Sequence, residues 1–133
     1  MTAIKESSTL QENKKIALGE CPVTYVVAKI GGHWKPIILY HLLSGEKRYS
    51  ELKKAIPAIT EKMLIQHLKQ LEADNLVERK AMAVVPPHVT YNLTASGMGL
   101  QPVLYAMSAW AIEERKKDPA MPYMSMDDFP AAN

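Results

Sequence analysis

Between residues 59 and 71 the chain reads ITEKMLIQHLKQL, and its side chains sort by the helical period. At 100° per residue, Leu64, Leu68 and Leu71 fall within about 60° of one another. Lys62, Gln66 and Lys69 gather on the opposite side, with Ile65 and His67 on the flanks. Glutamine carries a donor and an acceptor that match the major-groove edge of adenine, and lysine reaches guanine or a phosphate. A helix face turned to water is polar too, so this pattern alone leaves both readings open. Cys21 offers a second chemistry. It directly precedes Pro22 at an expected helix start, where free backbone N–H groups and the helix dipole favour the thiolate. Glu20 beside it works against that charge, and an inert buried thiol is the competing reading.

Other chemistries find little support. The four histidines and one cysteine include no pair at ligand spacing and no second thiol, so no metal site is expected. Gly31-Gly32 reads as a helix stop rather than a phosphate loop. No Ser-His-Asp or paired-carboxylate pattern stands in a context that would support catalysis. The expectation is a protein that is not an enzyme and needs no cofactor.

The elements that must position these residues follow from composition and period. A chain of 133 residues, 47% of them hydrophobic, is one ordinary domain with a modest core. Its net charge of +2 is compatible with a nucleic-acid partner without demonstrating one. No apolar run approaches the roughly 18 residues of a membrane span, and the first residues lack a signal-peptide apolar region. A cytoplasmic protein with no membrane partner is expected. The single cysteine excludes an intramolecular disulfide.

Residues 1–20 read as a polar arm, weakly periodic through Leu10, Ile16 and Leu18. CPVTYVVAKIGG then predicts a helix opened by Pro22 and closed by Gly31-Gly32. HWKPIILYHLLSGE predicts a second, with Ile37, Ile38, Leu39, Leu42 and Leu43 too dense for a thin stripe and therefore deeply buried. A short third helix is expected with Ser50 as its N-cap, Leu52 and Ile56 inward and Pro57 as its stop. The fourth is the stretch quoted above, capped by Thr60 and ended by Asp74-Asn75. Alternation at Val89, Tyr91 and Leu93 then predicts two strands, with Pro86-Pro87 at the tip between them. A long helix capped by Thr94 carries Leu100, Val103, Leu104, Met107, Trp110 and Ala111 on one face, with Pro102 as a kink or an irregular start. The proline-rich tail 118–133 is expected to be loosely ordered.

Helix, short turn, second helix, then hairpin is the winged helix-turn-helix order, and this context favours the DNA-facing reading of Lys62, Gln66 and Lys69. The expected fold is mainly α with a small β-hairpin. It comprises an arm over 1–20, a winged DNA-binding unit over 21–94, a dimerisation helix over 95–117 and a flexible tail. The second helix would enter the major groove, and the hairpin would lie along the backbone or the adjacent minor groove, with Lys80 and His88 available for phosphate.

The chain resembles the HxlR-type winged-helix transcriptional regulators, relatives of the MarR group. The residues that carry the resemblance are CPV at 21–23, IGGHW at 30–34, RYSEL at 48–52, ITEKML at 59–64, LKQLEADNLVER at 68–79, VPPHVTYNLT at 85–94, and Gly97 with PVL at 102–104. The resemblance implies a homodimer that binds double-stranded DNA, often as a repressor. In some members a small-molecule oxidant or electrophile is sensed through the cysteine that opens the CPV segment, here Cys21. The DNA-facing set would be Ser50, Thr60, Lys62, Met63, Gln66, His67, Lys69, Lys80 and His88. The dimer seam would take Leu100, Val103, Leu104, Met107 and Trp110. The chain departs from the family at His33, His67 and His88, where a basic residue is usual. It departs also at Lys35 and Ile65, where a small hydroxyl residue is common. Ile65 is expected either against a thymine methyl or as a buried flank residue. Two alternatives stay open: a regulator whose small ligand sits at a methionine-lined dimer seam, and a winged-helix protein-interaction module without DNA binding.

Overall fold

The computed structural model describes residues 21–86, 88–118 and 120. The arm over 1–20 and most of the tail lie outside the described residues. The chain divides into two units between His33 and Trp34, inside the stretch 21–94 that the sequence reads as one. The first unit contributes α1 (Pro22–Ile30). Pro22 stands in its opening turn, where a missing N–H costs no hydrogen bond, and Gly31 closes it by donating its N–H to the Val27 carbonyl.

The second unit runs α2 (Lys35–Leu42), β1 (Lys47–Arg48), α3 (Tyr49–Ala55), α4 (Glu61–Ala73), β2 (Val77–Met82), β3 (His88–Leu93), α5 (Ala95–Met98) and α6 (Gln101–Lys116). Its core gathers Ile38, Leu39 and Leu42 of α2, Leu52 of α3, the Leu64–Leu68–Leu71 seam of α4, Val77 of β2, and Tyr91 and Leu93 of β3. Each buried leucine contributes about 1.5–3 kcal/mol, so the seam alone holds α4 in place. Ile37 is only half-buried, which narrows the buried face of α2 from the sequence expectation. No helix among the described residues is long and apolar enough to cross a membrane.

Three details differ from the sequence expectation. The sheet has a third strand: β1 pairs antiparallel with β3, through Lys47 opposite Tyr91 and Arg48 opposite Thr90, giving the order β1-β3-β2. Two residues carry no period from which such a strand could be read. That pairing holds the backbone extended through Arg48, so α3 begins at Tyr49, ahead of Ser50. The N-cap is Arg48, whose N–H donates to the Glu51 carboxylate at 2.9 Å, and Ser50 stands within the first turn rather than at the cap. The C-terminal helix comes in two pieces. Thr94 caps α5 by accepting from the Gly97 N–H at 3.0 Å. The chain breaks at Gly99 and Leu100, and α6 then starts with Pro102 in its first turn, the irregular start that the proline predicts.

Local chemistry sets the direction of the hairpin. After α4, Asn75 adopts a left-handed conformation, and the Leu76 N–H bonds back to the Leu71 carbonyl at 3.0 Å. Leu76 and Leu71 are both buried, so the closure aims β2 back across the core. Gly97 is required by close approach: a Cβ there would collide with the Leu76 carbonyl oxygen.

Candidate nucleic-acid interface

Thr60 starts α4 by accepting from the Met63 N–H at 3.2 Å, as the sequence predicts. Beyond this cap, Lys62, Met63, Gln66 and Lys69 are all exposed. Lys62, Gln66 and Lys69 therefore form a free polar edge along the helix, opposite the leucine seam, with the apolar Met63 exposed beside it. His67 sits half-buried beside that edge, with Nδ1 withdrawn from solvent and without a hydrogen-bond partner. Ile65 is 43% exposed, which removes the buried-flank reading.

Ile65, Lys69 and Glu72 point toward the wing. There they line an open groove of about 1140 Å³ with Arg48 and Ser50 on one side and Arg79 and His88 on the other. Three fixed cations stand against the single carboxylate of Glu72, so the groove favours an anion. Tyr49 also lines it, with its hydroxyl buried and without a hydrogen-bond partner. Burial, reinforced by the charges of Glu61 and Tyr91, holds the Tyr49 phenol above its ordinary pKa, so it remains an O–H donor.

The wing register decides which of its cations faces this groove. Residues directly opposite in an antiparallel pair share a face. Arg79 lies opposite Tyr91, and Lys80 lies opposite Thr90. Lys80 therefore projects from the other side of the sheet, whereas Arg48 and His88, in step with Thr90, line the groove from the strand ends. Its ammonium is 4.0 Å from the Glu46 carboxylate, which in turn accepts from the Thr90 hydroxyl at 2.9 Å. The sequence singled out Lys80, and the structure adds Arg79 and Arg48 to the groove. The missed signal was phase: Arg79 is in step with Val77, the one buried residue of β2.

The C-terminal helix separates its apolar residues into two faces. Leu104 is 3% exposed and, with Ile112, turns into the core of its own chain. This corrects the grouping of Leu104 with an outward seam; the stripe of apolar residues was wide enough to serve two surfaces. Val103, Met107 and Trp110 remain exposed, Trp110 at 68%, and join Pro102, Ala106 and Ala111 in a shallow apolar concavity. Leu100 is half-buried at the start of the helix.

In the first unit, Cys21 is the N-cap residue of α1 and is partly exposed. The Thr24 hydroxyl, then the Thr24 and Val23 amides, lower its pKa, while a small burial effect opposes them. These contacts fall short of a full capping hydrogen bond, so the thiol is biased toward thiolate without being locked.

A helix with a free polar edge, a three-stranded sheet and a cationic groove between them define a winged helix-turn-helix DNA-binding fold, the fold of transcriptional regulators. Residues 29–119 match the HxlR-like helix-turn-helix family. The chain is 38% identical over 112 residues to YybR of Bacillus subtilis strain 168, an uncharacterised HTH-type transcriptional regulator, covering 84% of this chain and 86% of that one. It is similar in structure to the redox regulator HypR in its oxidised form, at 43% identity and a TM-score of 0.66, over 68% of this chain and 94% of that one. The reduced form of the transcriptional regulator YodB from B. subtilis is 36% identical with a TM-score of 0.64, over 76% of this chain and 98% of that one. The protein belongs to the HxlR-like helix-turn-helix family of transcriptional regulators.

Proposed function

We propose that the protein is a cytoplasmic repressor that binds an inverted-repeat operator as a homodimer. The observation that carries this reading is the free polar edge of α4, Lys62, Gln66 and Lys69, beside a groove with three cations. Gln66 reads an adenine edge, Lys62 and Lys69 reach guanine or phosphate, and Thr60, Met63 and His67 shape the surface around them. Ser50, Arg48, Arg79 and His88 hold the backbone that crosses the groove. One reading helix touches too few bases for high specificity, so two chains act together, with half-sites about 34–36 Å apart or a multiple of that. The apolar face of α6, centred on Met107 and Trp110, supplies the seam between the copies, with Val103 and Leu100 at its margin. Selection of bound sequences from random duplex DNA, followed by footprinting, tests the reading. An inverted repeat is expected; a single unsymmetrical half-site refutes the dimeric mode.

Cys21 is the proposed sensor. Its lowered pKa supports this, and so does the similarity to a regulator described as a redox regulator. An electrophile such as a quinone would form a C–S bond with the thiolate. Diamide would take two electrons and two protons from Cys21 and a second thiol, leaving a disulfide. DNA affinity should fall after either reagent in the wild type and stay constant in Cys21→Ser. A wild type whose binding is unchanged although mass spectrometry shows Cys21 modified would end the sensor reading. The ligand-responsive alternative would place its ligand in the apolar concavity around Met107 and Trp110, about 830 Å³ in the single chain, which the proposed seam between copies covers.

A further inference from the structure

The wing tip raises a question that phosphate contacts and base readout by α4 leave unanswered. The hairpin pairs regularly as far as Met82 opposite His88, and between Lys80 and His88 the chain reads AMAVVPP. None of those seven side chains is polar. Turns of this kind ordinarily carry Gly, Asn, Asp or Ser, which satisfy backbone groups and tolerate unusual dihedrals. Here Val85 is 99% exposed, and Met82 and Val84 are exposed beside it. Pro86 stiffens the tip and brings no backbone N–H that would need a partner on leaving water.

Position selects the occupant. Val84, Val85 and Pro86 line the same groove as Lys69 and Arg79, so whatever docks along α4 meets the tip. That groove is cationic, and duplex DNA is its natural counterpart. Val85 lies five residues beyond Lys80, a reach of up to about 16 Å along the hairpin. The minor groove is about 7.5 Å deep. The root of the wing can thus rest on phosphates while the tip meets the groove floor.

We propose that the wing tip is an apolar wedge: Val85, backed by Val84 and Pro86, enters the minor groove beside each half-site and partly unstacks one base step, bending the duplex toward the major groove. The inference rests on the DNA-binding reading above. The wedge meets base edges and sugars without a charge. Its contribution is therefore largely independent of salt, and it favours flexible pyrimidine–purine steps over stiff tracts.

The test uses the full chain and the duplex obtained by selection. That duplex is labelled at its ends for energy transfer and carries 2-aminopurine at successive positions outside the half-site. Wild type should shorten the end-to-end distance and raise 2-aminopurine fluorescence at one step. Val85→Ser, at a fully exposed position where folding is not at stake, should abolish the fluorescence rise and reduce the bend. It should also weaken binding on the order of tenfold with an unchanged salt slope. Val85→Lys should also lose the fluorescence rise, while steepening the salt slope by about one unit. Wild type that binds the duplex without any fluorescence rise or bend overturns the wedge and leaves DNA binding intact. A Val85→Ser variant that keeps both signals overturns it equally. If Val85→Ser instead changes the sedimentation of the free protein, the tip is a contact between copies. If wild type binds no duplex at all, the DNA-binding reading and the wedge fail together.

Discussion

Helices α4 and α6 bury the same kind of side chain and expose opposite kinds. Inside, α4 places Leu64, Leu68 and Leu71, and α6 places Leu104 and Ile112. Outside, α4 shows Lys62, Gln66 and Lys69, whereas α6 shows Val103, Met107 and Trp110. Both inner faces answer to the hydrophobic effect, so the fold alone explains them. The outer faces answer to something beyond the single chain. A polar edge costs nothing in water and can exchange its water for base edges. An indole left two-thirds exposed is stabilised only when another apolar surface covers it. The contrast sets a helix whose outer face suits a polar ligand against one whose outer face suits an apolar surface.

The comparison breaks most visibly if α6 is given the outer face of α4. Trp110→Glu should place an uncompensated charge in the seam and convert the dimer to monomer in sedimentation. With one reading helix per particle, affinity for the inverted repeat should drop by about 10²–10⁴-fold. A dimer that survives this substitution would show that α6 is not the seam.

Within α4 the two sides should separate cleanly. Leu64→Ala removes core and should cost about 2–5 kcal/mol in denaturant unfolding. Gln66→Ala should leave that unfolding curve unchanged and cost about 1–3 kcal/mol at one base position of the cognate site, relaxing preference there. A Gln66→Ala variant with full sequence preference would mean that the helix enters the groove in another orientation.

The wing offers the same contrast between two faces at smaller amplitude. Arg79→Ala should weaken binding to all sequences alike and make the salt slope shallower by about one unit. Lys80→Ala should do less, because the sheet turns Lys80 toward Glu46 and away from the groove. Equal effects of the two substitutions would contradict the register drawn from Tyr91 and Thr90.

The smallest effect concerns Cys21. A folded-state pKa below that of free cysteine means that the thiolate persists to lower pH. Labelling by a thiol reagent should therefore fall off, on acidification, at a lower midpoint than it does for a free thiol. Thr24→Val removes the largest stabilising contact and should move that midpoint upward. A midpoint unchanged in Thr24→Val would show that the hydroxyl does not tune the thiol.

How much of this was legible beforehand depended on distance along the chain. The leucine seam, the caps at Thr60 and Thr94 and the stop at Asp74-Asn75 each arise from residues three to seven apart, so period and side-chain chemistry reveal them. Strand β1 did not show itself, because Lys47 and Arg48 are extended only by virtue of Tyr91 and Thr90, far along the chain. Ile65 could be placed on the flank of α4, but whether a flank is covered depends on what packs beside it. The structure leaves it open to the groove. Leu104 and Met107 belong to one apolar stripe in sequence, and only the position of α2 determines which of them the chain covers for itself.

The sequence by itself determined the order of the main helices and of the hairpin strands, the leucine seam of α4 and the polar edge opposite it. These are local consequences of side-chain spacing and backbone propensity, and they hold wherever the elements come to rest. Tertiary structure alone decided that Arg79 rather than Lys80 faces the groove, that Arg48 joins it, and that the apolar stripe of α6 splits between core and surface. Those outcomes depend on strand register and on which surfaces meet, and a one-residue change in register would exchange the two faces of the wing while leaving its composition untouched.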